Sequence, residues 1–401
     1  MRALALLATL AACKSREAED KQAPTLPVEV VRDGGPPLDA APRVWPELDK
    51  LPLEQPLRVI TLPAKTNVPR FDVGGPAVLG DLAVVASSQL GFAAVDWRRG
   101  TLAWTKASGP HVAPPVVRDG SFVLIGECLT PPQVPAANLL LGCLRVVTPP
   151  GEDQAYVAIH GKQAAVEAFA AEPGPQRVFV DGDKLRWVRG ETAVSIDPLS
   201  GVATPATVEP PPIVVEHGGK RWDIAQENGK IVARQKGKVA WQTEHEVGAV
   251  LGSVWLPDQR PMIRSASISG RYGSPEVRLL DVDATGSLNG TAAWTPVPGI
   301  ALLGQAISPV GDVALAVRLD RSIKRDFIAA YAANALLIYV YPLPHVMRPD
   351  PVGVAIALDD EGAPEAVVVF HDGDLVTVLP TVSSPPTAPG AASKPSQNPT
   401  P

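Results

Sequence analysis

The residues of this chain that could do acid-base or metal chemistry are thinly spread. Its six histidines include no H-E-x-x-H, H-x-H or i,i+4 pair, the spacings that bring two imidazoles to one metal ion. The densest titratable cluster is Glu244-His245-Glu246, which follows Trp241 where a loop is expected, so we predict that it is exposed to solvent. The other histidines stand one to a repeat or loop, at His111, His160, His217, His345 and His371. Their separation argues against an assembled acid and base, which must lie within hydrogen-bond reach of each other.

The sequence also lacks the short motifs that carry other chemistries. It has no G-x-S-x-G elbow for a serine nucleophile, and no G-x-x-x-x-G-K-[ST] or G-x-G-x-x-G ahead of a helix for a nucleotide. A calcium loop would need a D-x-D-x-D-G series, and none occurs. We therefore predict that the protein is not an enzyme and holds no cofactor and no metal ion.

Cys13 belongs to the most specific signal in the chain. Arg2 and an apolar run precede Leu10-Ala11-Ala12-Cys13, which resembles a bacterial lipobox, where the cysteine is lipidated and becomes the first residue. The run is too short to cross a bilayer as a helix, and a short core helix with a buried cysteine is the alternative. Lys14 stands where an aspartate would direct retention at the inner membrane. The resemblance therefore implies a lipid anchor at the outer membrane, on its periplasmic face or at the cell surface.

The two remaining cysteines, Cys128 and Cys143, flank a Pro-rich stretch between two apolar runs. An exported protein sits in an oxidising compartment, where such a pair favours a disulfide. Two buried thiols are the alternative. Their spacing is not the C-x-x-C of a metal site or redox motif, so we assign them no catalytic role.

Composition and charge narrow the class of protein. The formal net charge of −6 argues against a basic surface for nucleic acid. The 44 prolines and 34 glycines predict many turns, and 45% hydrophobic residues suffice for a large core. One all-β domain can account for a chain of this length, since propellers run long as single units.

Turn residues recur along the middle of the chain with a period typical of a β-propeller. The pattern Gly-x-x-Ala-Trp occurs at 100–104, 237–241 and 290–294, and turn glycines stand at positions 100, 151, 201, 237 and 290. Two-residue turns separate further apolar runs at Gly80-Asp81, Asp119-Gly120, Asp181-Gly182, Gly218-Gly219, Gly311-Asp312 and Asp372-Gly373. Such repeats of four short strands predict an all-β fold, a single β-propeller. Seven blades are expected, and six to eight are compatible with the pattern.

The stretch 91–126 shows one repeat most clearly. Its V-D-x-x-x-G-x-x-x-W segment, ending at Trp104, precedes P-V-V-x-D-G at 115–120, and the pair resembles the repeats of PQQ-like β-propellers. In that family the tryptophan packs between neighbouring blades, so the resemblance implies this docking role for Trp104, Trp241 and Trp294. The catalytic aspartate, calcium site and tryptophan platform of the family's quinoprotein dehydrogenases cannot be placed on residues of this sequence.

These signals divide the chain into four parts. Residues 1–12 are interpreted as a lipoprotein signal peptide, and 13–56 as the lipidated cysteine with a disordered, Pro-rich tether. Residues 57–380 are predicted to form the propeller, and 381–401 a disordered Pro- and Ser-rich tail. Within the propeller, 163–172 (QAAVEAFAAE) has helix-favouring residues and predicts a short excursion between blades, although its alanines would also fit a strand.

The function expected from these features is that of a scaffold. The predicted architecture is similar to the propeller lipoprotein of the outer-membrane β-barrel assembly machine, which implies a non-catalytic protein, here monomeric, that binds unidentified protein partners. A small-ligand or cofactor-binding propeller, such as a degenerate PQQ-dependent quinoprotein, is one alternative. A cell-surface module for adhesion or glycan binding is the other.

Overall fold

The fold was analysed in a computed structural model of the chain. The structure describes residues 54–381 except 64–74, 88–89, 110, 131, 175, 218, 229, 244–248, 256–260, 270–275, 284–296, 299–300, 321–324, 335 and 344–351. These residues form seven antiparallel sheets of four strands each. Strand β1 (Arg58–Thr61) is the first strand of the described residues.

Sheets 1 to 6 are each built from four strands that are consecutive in sequence. Sheet 1 contains β2 (Ala77–Leu79), β3 (Leu82–Ser87), β4 (Gly91–Asp96) and β5 (Thr101–Lys106). Sheet 2 contains β6 (Val116–Arg118), β7 (Ser121–Gly126), β8 (Asn138–Val147) and β9 (Asp153–Lys162). Sheet 3 contains β10 (Gln176–Asp181), β11 (Lys184–Arg189), β12 (Thr192–Ile196) and β13 (Ala203–Pro205).

The second half of the chain continues the series. Sheet 4 contains β14 (Ile213–His217), β15 (Lys220–Glu227), β16 (Lys230–Gln235) and β17 (Lys238–Gln242). Sheet 5 contains β18 (Ala249–Trp255), β19 (Pro261–Ser269), β20 (Glu276–Asp283) and β21 (Val297–Pro298). Sheet 6 contains β22 (Ala301–Ile307), β23 (Val313–Asp320), β24 (Arg325–Tyr331) and β25 (Leu337–Pro342).

Sheet 7 is composite, because strands from both ends of the described chain form it. Its strand order is β1, β28 (Leu375–Pro380), β27 (Pro364–His371) and β26 (Gly353–Leu358). In all seven sheets the fourth strand is outermost, and β1 takes that place here. The first strands of neighbouring sheets lie side by side in six of the seven pairs, with β26 beside both β22 and β2. The protein is therefore an all-β single β-propeller, as the sequence predicts.

The turn glycines of the repeat occupy one structural position. Gly100, Gly151, Gly201 and Gly237 all lie between the third and fourth strands of their sheets, with φ of +77°, +94°, +72° and +77°. A side chain at Gly201 would also place its Cβ 1.8 Å from the Ala158 carbonyl oxygen of sheet 2. Glycine is needed there for its conformation and for the close approach of two sheets.

The predicted two-residue turns lie between the first and second strands of their sheets, with the exception of Asp372-Gly373. In Asp119-Gly120 both residues have positive φ, as the tightest hairpin turns require. Asp372-Gly373 has the same conformation but joins β27 to β28, the second and third strands of sheet 7. This pair therefore marks a hairpin but not the same point of the repeat.

Burial decreases from middle strand to rim strand in sheets 1 and 2 and at the rim of sheet 4. Strands β4 and β7 are buried at every residue, whereas β5 and β17 are mostly exposed. Middle strands are covered on both faces by neighbouring sheets, so they read as continuous apolar runs. One core cluster spans sheets 7, 1 and 2, and another spans sheets 6 and 7.

One helix, α1 (Gln163–Ala171), occurs among the described residues and connects β9 of sheet 2 to β10 of sheet 3. The predicted excursion between blades is thus helical. Its residues favour helix, and Val166 and Phe169, three apart on one face, are buried in the core between the two sheets. In the part of the chain that the structure covers, no helix has the length and hydropathy needed to cross a membrane.

Candidate functional site

A pocket of about 520 Å³ opens between sheets 2 and 3, at the end of these sheets where second strands pass to third strands. We call it the sheet 2–3 pocket. Its lining residues are His111, Gly126, Glu127, Cys128, Leu140, Leu141, Gly142, Ala170, Ala171, Glu172, Pro173, Gly174, Gln176, Trp187 and Arg189. The volume lies within the range of sites for small molecules.

Two walls of the sheet 2–3 pocket are made by segments that depart from the repeat. One is the C-terminal end of α1 with the turn that follows it. The other is the beginning of β8, whose hairpin with β9 has ten residues in each strand. Segments that a repeat fold does not require are the places where binding sites are commonly added to it.

A disulfide fixes the β8 wall. Cys128 and Cys143 are bonded, with their Cα atoms 5.1 Å apart, which confirms the pairing predicted from the sequence. Cys143 stands opposite Gly126 in the β7–β8 ladder, so the bond ties the chain leaving β7 to the adjacent strand. It closes the intervening Pro-rich loop at the edge of the pocket.

The opposite wall contains a cation stacked on two aromatic rings. The guanidinium carbon of Arg189 lies 4.8 Å from the ring centroids of both Phe169 and Trp187. These rings form an edge-to-face pair at 4.8 Å, and the Trp187 Nε1–H donates to Gln176 Oε1 at 3.0 Å. Arg189 is therefore held by a preformed aromatic frame that fixes the position of its charge.

Burial removes part of the solvation of Arg189. It lowers the pKa of Arg189, and the negative charge of Glu172 acts in the opposite direction. Arginine stays protonated under any such shift at neutral pH. Its Nε is buried without a hydrogen-bond partner in the part of the chain that the structure describes. A positive charge thus lines the pocket, and its desolvation outweighs the compensation by Glu172.

The rim of the sheet 2–3 pocket is acidic. Glu127 is exposed and Glu172 half-buried. The Glu127 backbone N–H donates to the His111 carbonyl oxygen at 2.8 Å, and the Ala113 N–H donates to the Ile125 carbonyl at 2.8 Å. These two bonds align the segment before β6 with the end of β7, which positions Glu127 at the mouth.

Of the tryptophans predicted to dock neighbouring blades, Trp104 contacts the neighbouring sheet directly. The Trp104 indole N–H donates to the Pro149 carbonyl oxygen at 2.9 Å, and its ring centroid is 6.0 Å from that of Phe122, both partners belonging to sheet 2. Trp241 packs against a cluster that includes Ile263 of sheet 5. Trp294 lies outside the described residues.

The other predicted site residues are not brought together. Cys13 and the Glu244-His245-Glu246 cluster lie outside the described residues. His371 is buried and shares a 2.8 Å hydrogen bond with Thr377, far along the chain from His111 at the pocket. Among the described residues there is no group of three His, Cys, Asp or Glu arranged for a metal ion.

Apart from Cys128, no site residue predicted from the sequence is among the described residues that line the sheet 2–3 pocket. Trp187 and Arg189 stand two residues apart on β11, whereas Phe169 and Glu172 reach them from the connection between the sheets. The available signal was indirect: a helix-favouring break in the repeat, next in the chain to the cysteine pair.

Comparisons with known proteins assign no family to this chain. The chain matches no known protein family and no curated protein, so the resemblance to PQQ-like repeats remains an interpretation of the turn pattern. Among solved structures, a chain of the mitotic checkpoint complex matches with 12% identity, TM-score 0.48, and coverage of 85% of this chain and 96% of that one. BamB from Moraxella catarrhalis matches with 14% identity, TM-score 0.38, and coverage of 82% and 100%. The C-terminal WD40 domain of Sif2 matches with 13% identity, TM-score 0.39, and coverage of 77% and 81%.

Proposed function

We propose that this protein is a non-catalytic scaffold, a β-propeller lipoprotein that is held at the outer membrane by lipid on Cys13 and binds other proteins. In this proposal each of the seven sheets is one blade of the ring. The blades supply rims and loops for partners, and the segment before β1 links them to the lipid.

The exposed rim strands are the observation that supports a scaffold. The outermost strands β5 and β17 are mostly exposed, and Leu102 and Val239 on them are 42% and 54% exposed. The outer edge of such a strand offers unpaired N–H and C=O groups to an added strand. An extended segment of a partner polypeptide could pair with the backbone and place apolar side chains beside these residues.

Crosslinking in cells, followed by capture of the intact lipoprotein, tests the scaffold. We expect this protein to capture defined partner proteins that an unrelated lipoprotein does not capture. The double variant Leu102→Lys, Val239→Lys should capture fewer of them, because lysine on an edge strand opposes pairing. Leu199→Lys is the matched control, since Leu199 is 90% exposed but lies in a turn. If no partner is enriched, the scaffold function is excluded. If the double variant captures the same partners as the parent protein, the rim strands are excluded as the binding surface.

Lipid anchoring rests on the lipobox and is tested separately. Cys13→Ser removes the thiol that would carry the lipid, so we expect the variant to leave the membrane fraction. Membranes should be washed with salt first, which releases proteins held by charge alone. A variant that stays with washed membranes would show that Cys13 does not carry the anchor.

The quinoprotein alternative is tested with the cofactor itself. A quinone-dependent dehydrogenase needs a general base beside the quinone and a metal, and the sequence places none of these residues. We therefore expect no dye-linked oxidation of alcohols or sugars after addition of PQQ and Ca²⁺. Stoichiometric PQQ binding with dye reduction would replace the scaffold by this alternative.

A further inference from the structure

The sheet 2–3 pocket combines one fixed cation with apolar walls. Arg189 supplies the cation, and Leu140, Leu141 and Ala170 belong to the walls. A planar guanidinium binds a carboxylate with two parallel hydrogen bonds. The stacked rings already hold Arg189, so binding costs little of its side-chain entropy.

We propose that the sheet 2–3 pocket binds the free carboxyl terminus of a partner polypeptide, an inference that rests on the proposed scaffold function. The terminal carboxylate pairs with Arg189, and the last side chain, which is apolar, lies against Leu140, Leu141 and Ala170. The chain then leaves the pocket past Glu127 at the exposed rim.

The charges around the pocket favour a single carboxylate over a phosphate. Glu172 lies close enough to act on Arg189, and Glu127 stands at the exposed rim. A doubly charged phosphate would face one cation and two carboxylates, and like charges at short range oppose binding. A chain with one terminal carboxylate adds a single negative charge at Arg189. A basic residue just before its end would meet Glu127.

The partly desolvated state of Arg189 is what a carboxylate would relieve. Burial disfavours the charged form of Arg189, and the negative charge of Glu172 compensates this only in part. A charge-assisted pair in a partly dry site is stronger than one in water. Replacing the terminal carboxylate by an amide removes that pair but leaves the apolar contacts, so the two forms of one peptide isolate the role of Arg189.

The test uses the full chain with Cys13→Ser, which stays soluble if the anchor proposal holds, or the detergent-solubilised lipoprotein if it does not. The probes are acetyl-Ala-Ala-Lys-Leu with a free carboxylate and the same peptide as its amide, titrated by calorimetry. We expect the free acid to bind at least about tenfold more tightly, which corresponds to one charge-assisted pair. Equal affinities, or no saturable binding of the acid up to about 10 mM, would overturn the proposal, because a millimolar site would then be nearly filled.

Variants separate the role of Arg189 from its contribution to packing. Arg189→Met keeps an unbranched side chain against the rings and should abolish the preference for the acid. Arg186→Lys, on the same strand but paired with Asp181, is the matched control and should bind like the parent. Glu172→Gln removes the competing charge and should tighten binding of the acid. Thermal unfolding of each variant verifies its fold, and a folded Arg189→Met variant that still prefers the acid would overturn the proposal.

Further probes distinguish a chain terminus from other anions. Free L-leucine and acetate carry a carboxylate without a peptide. Inorganic phosphate carries a larger negative charge than a single carboxylate. Displacement of the peptide by phosphate at equal concentration, or leucine binding as tight as that of the peptide, would overturn the assignment to a polypeptide end. In the crosslinking experiment, Arg189→Met should lose a subset of partners. If that variant captures every partner of the parent protein and the parent protein does not bind the peptide, the pocket proposal is wrong but the scaffold function is not contradicted.

Discussion

Replacing Ile60 by alanine should weaken the closure of the propeller ring. Ile60 lies on β1, the strand that completes sheet 7, and stands opposite Val376 of β28. Its side chain is 8% exposed and belongs to the core cluster shared by sheets 7, 1 and 2. Truncating a buried isoleucine costs its transfer free energy and leaves a cavity, together about 2–5 kcal/mol. That is a large part of the roughly 5–15 kcal/mol by which a domain is stable.

Val59→Ala is the matched control for this experiment. Val59 is the preceding residue of the same strand, points to the other face and is 53% exposed. The substitution removes two methyl groups and some β-propensity, so we expect a loss below about 1 kcal/mol. Both variants keep the backbone hydrogen bonds that hold β1, from Leu57 N–H to the Val378 carbonyl at 2.8 Å and from Leu62 N–H to the Asp374 carbonyl at 2.7 Å.

Urea unfolding followed by circular dichroism and by tryptophan fluorescence measures both changes. Coincident transitions allow midpoints and m values to be compared directly. A lower midpoint with an unchanged m value would report lost packing at Ile60. If Ile60→Ala and Val59→Ala lower the midpoint equally, Ile60 is not part of the core and β1 does not close the ring as described.

Three further predictions follow from the same structure. Cys128→Ser with Cys143→Ser should lower the free energy of unfolding by about 3 kcal/mol for a sequence separation of 15, and a reductant should leave the double variant unchanged. Trp104→Ala should lower the free energy of unfolding by about 3 kcal/mol in a denaturation experiment. Trp104→Phe should lower it by less than half as much, because a ring still fills the space between sheets 1 and 2. Equal losses in the two variants would mean that ring packing is unimportant. Burial raises the pKa of Tyr331 and Tyr339 above the ordinary value of 10.0. Their contribution to the free energy of unfolding should therefore be fully present below about pH 10 and decrease as the pH rises further, because the unfolded chain ionises first. Absorbance at 295 nm should then show these two of the five tyrosines ionising only on unfolding, and ionisation of all five in the folded protein would contradict it.

The parts of the fold that local chemistry determines could be predicted from the sequence. Gly100 and Gly237 need positive φ whatever surrounds them, so their spacing revealed the repeat. The same reasoning could not show that Asp372-Gly373 occupies a different point of its sheet, because any tight hairpin needs the same turn residues. It also could not show that β1 joins sheet 7, since that pairing depends on closure of the whole ring.

The candidate site was beyond sequence reasoning for a related reason. Arg189 is an ordinary strand residue in the sequence, and only packing of Phe169 from α1 and burial beside Trp187 make its charge unusual. The disulfide was predictable because cysteines are few and their chemistry depends on compartment. A cation in an aromatic frame leaves no comparable signal, since its partners come from separate segments.

The composite sheet 7 also sets the order of events when the chain is made. Strand β1 emerges early in synthesis, but its partner β28 is the last strand of the propeller. During synthesis β1 therefore leaves the ribosome with its backbone N–H and C=O groups unpaired. It stays unpaired until nearly the whole chain has been made. Contacts between such distant segments slow folding, because a long loop must close before they form. Ring closure should be the final and slowest step, and a nascent chain truncated before β28 should be open to proteases at β1.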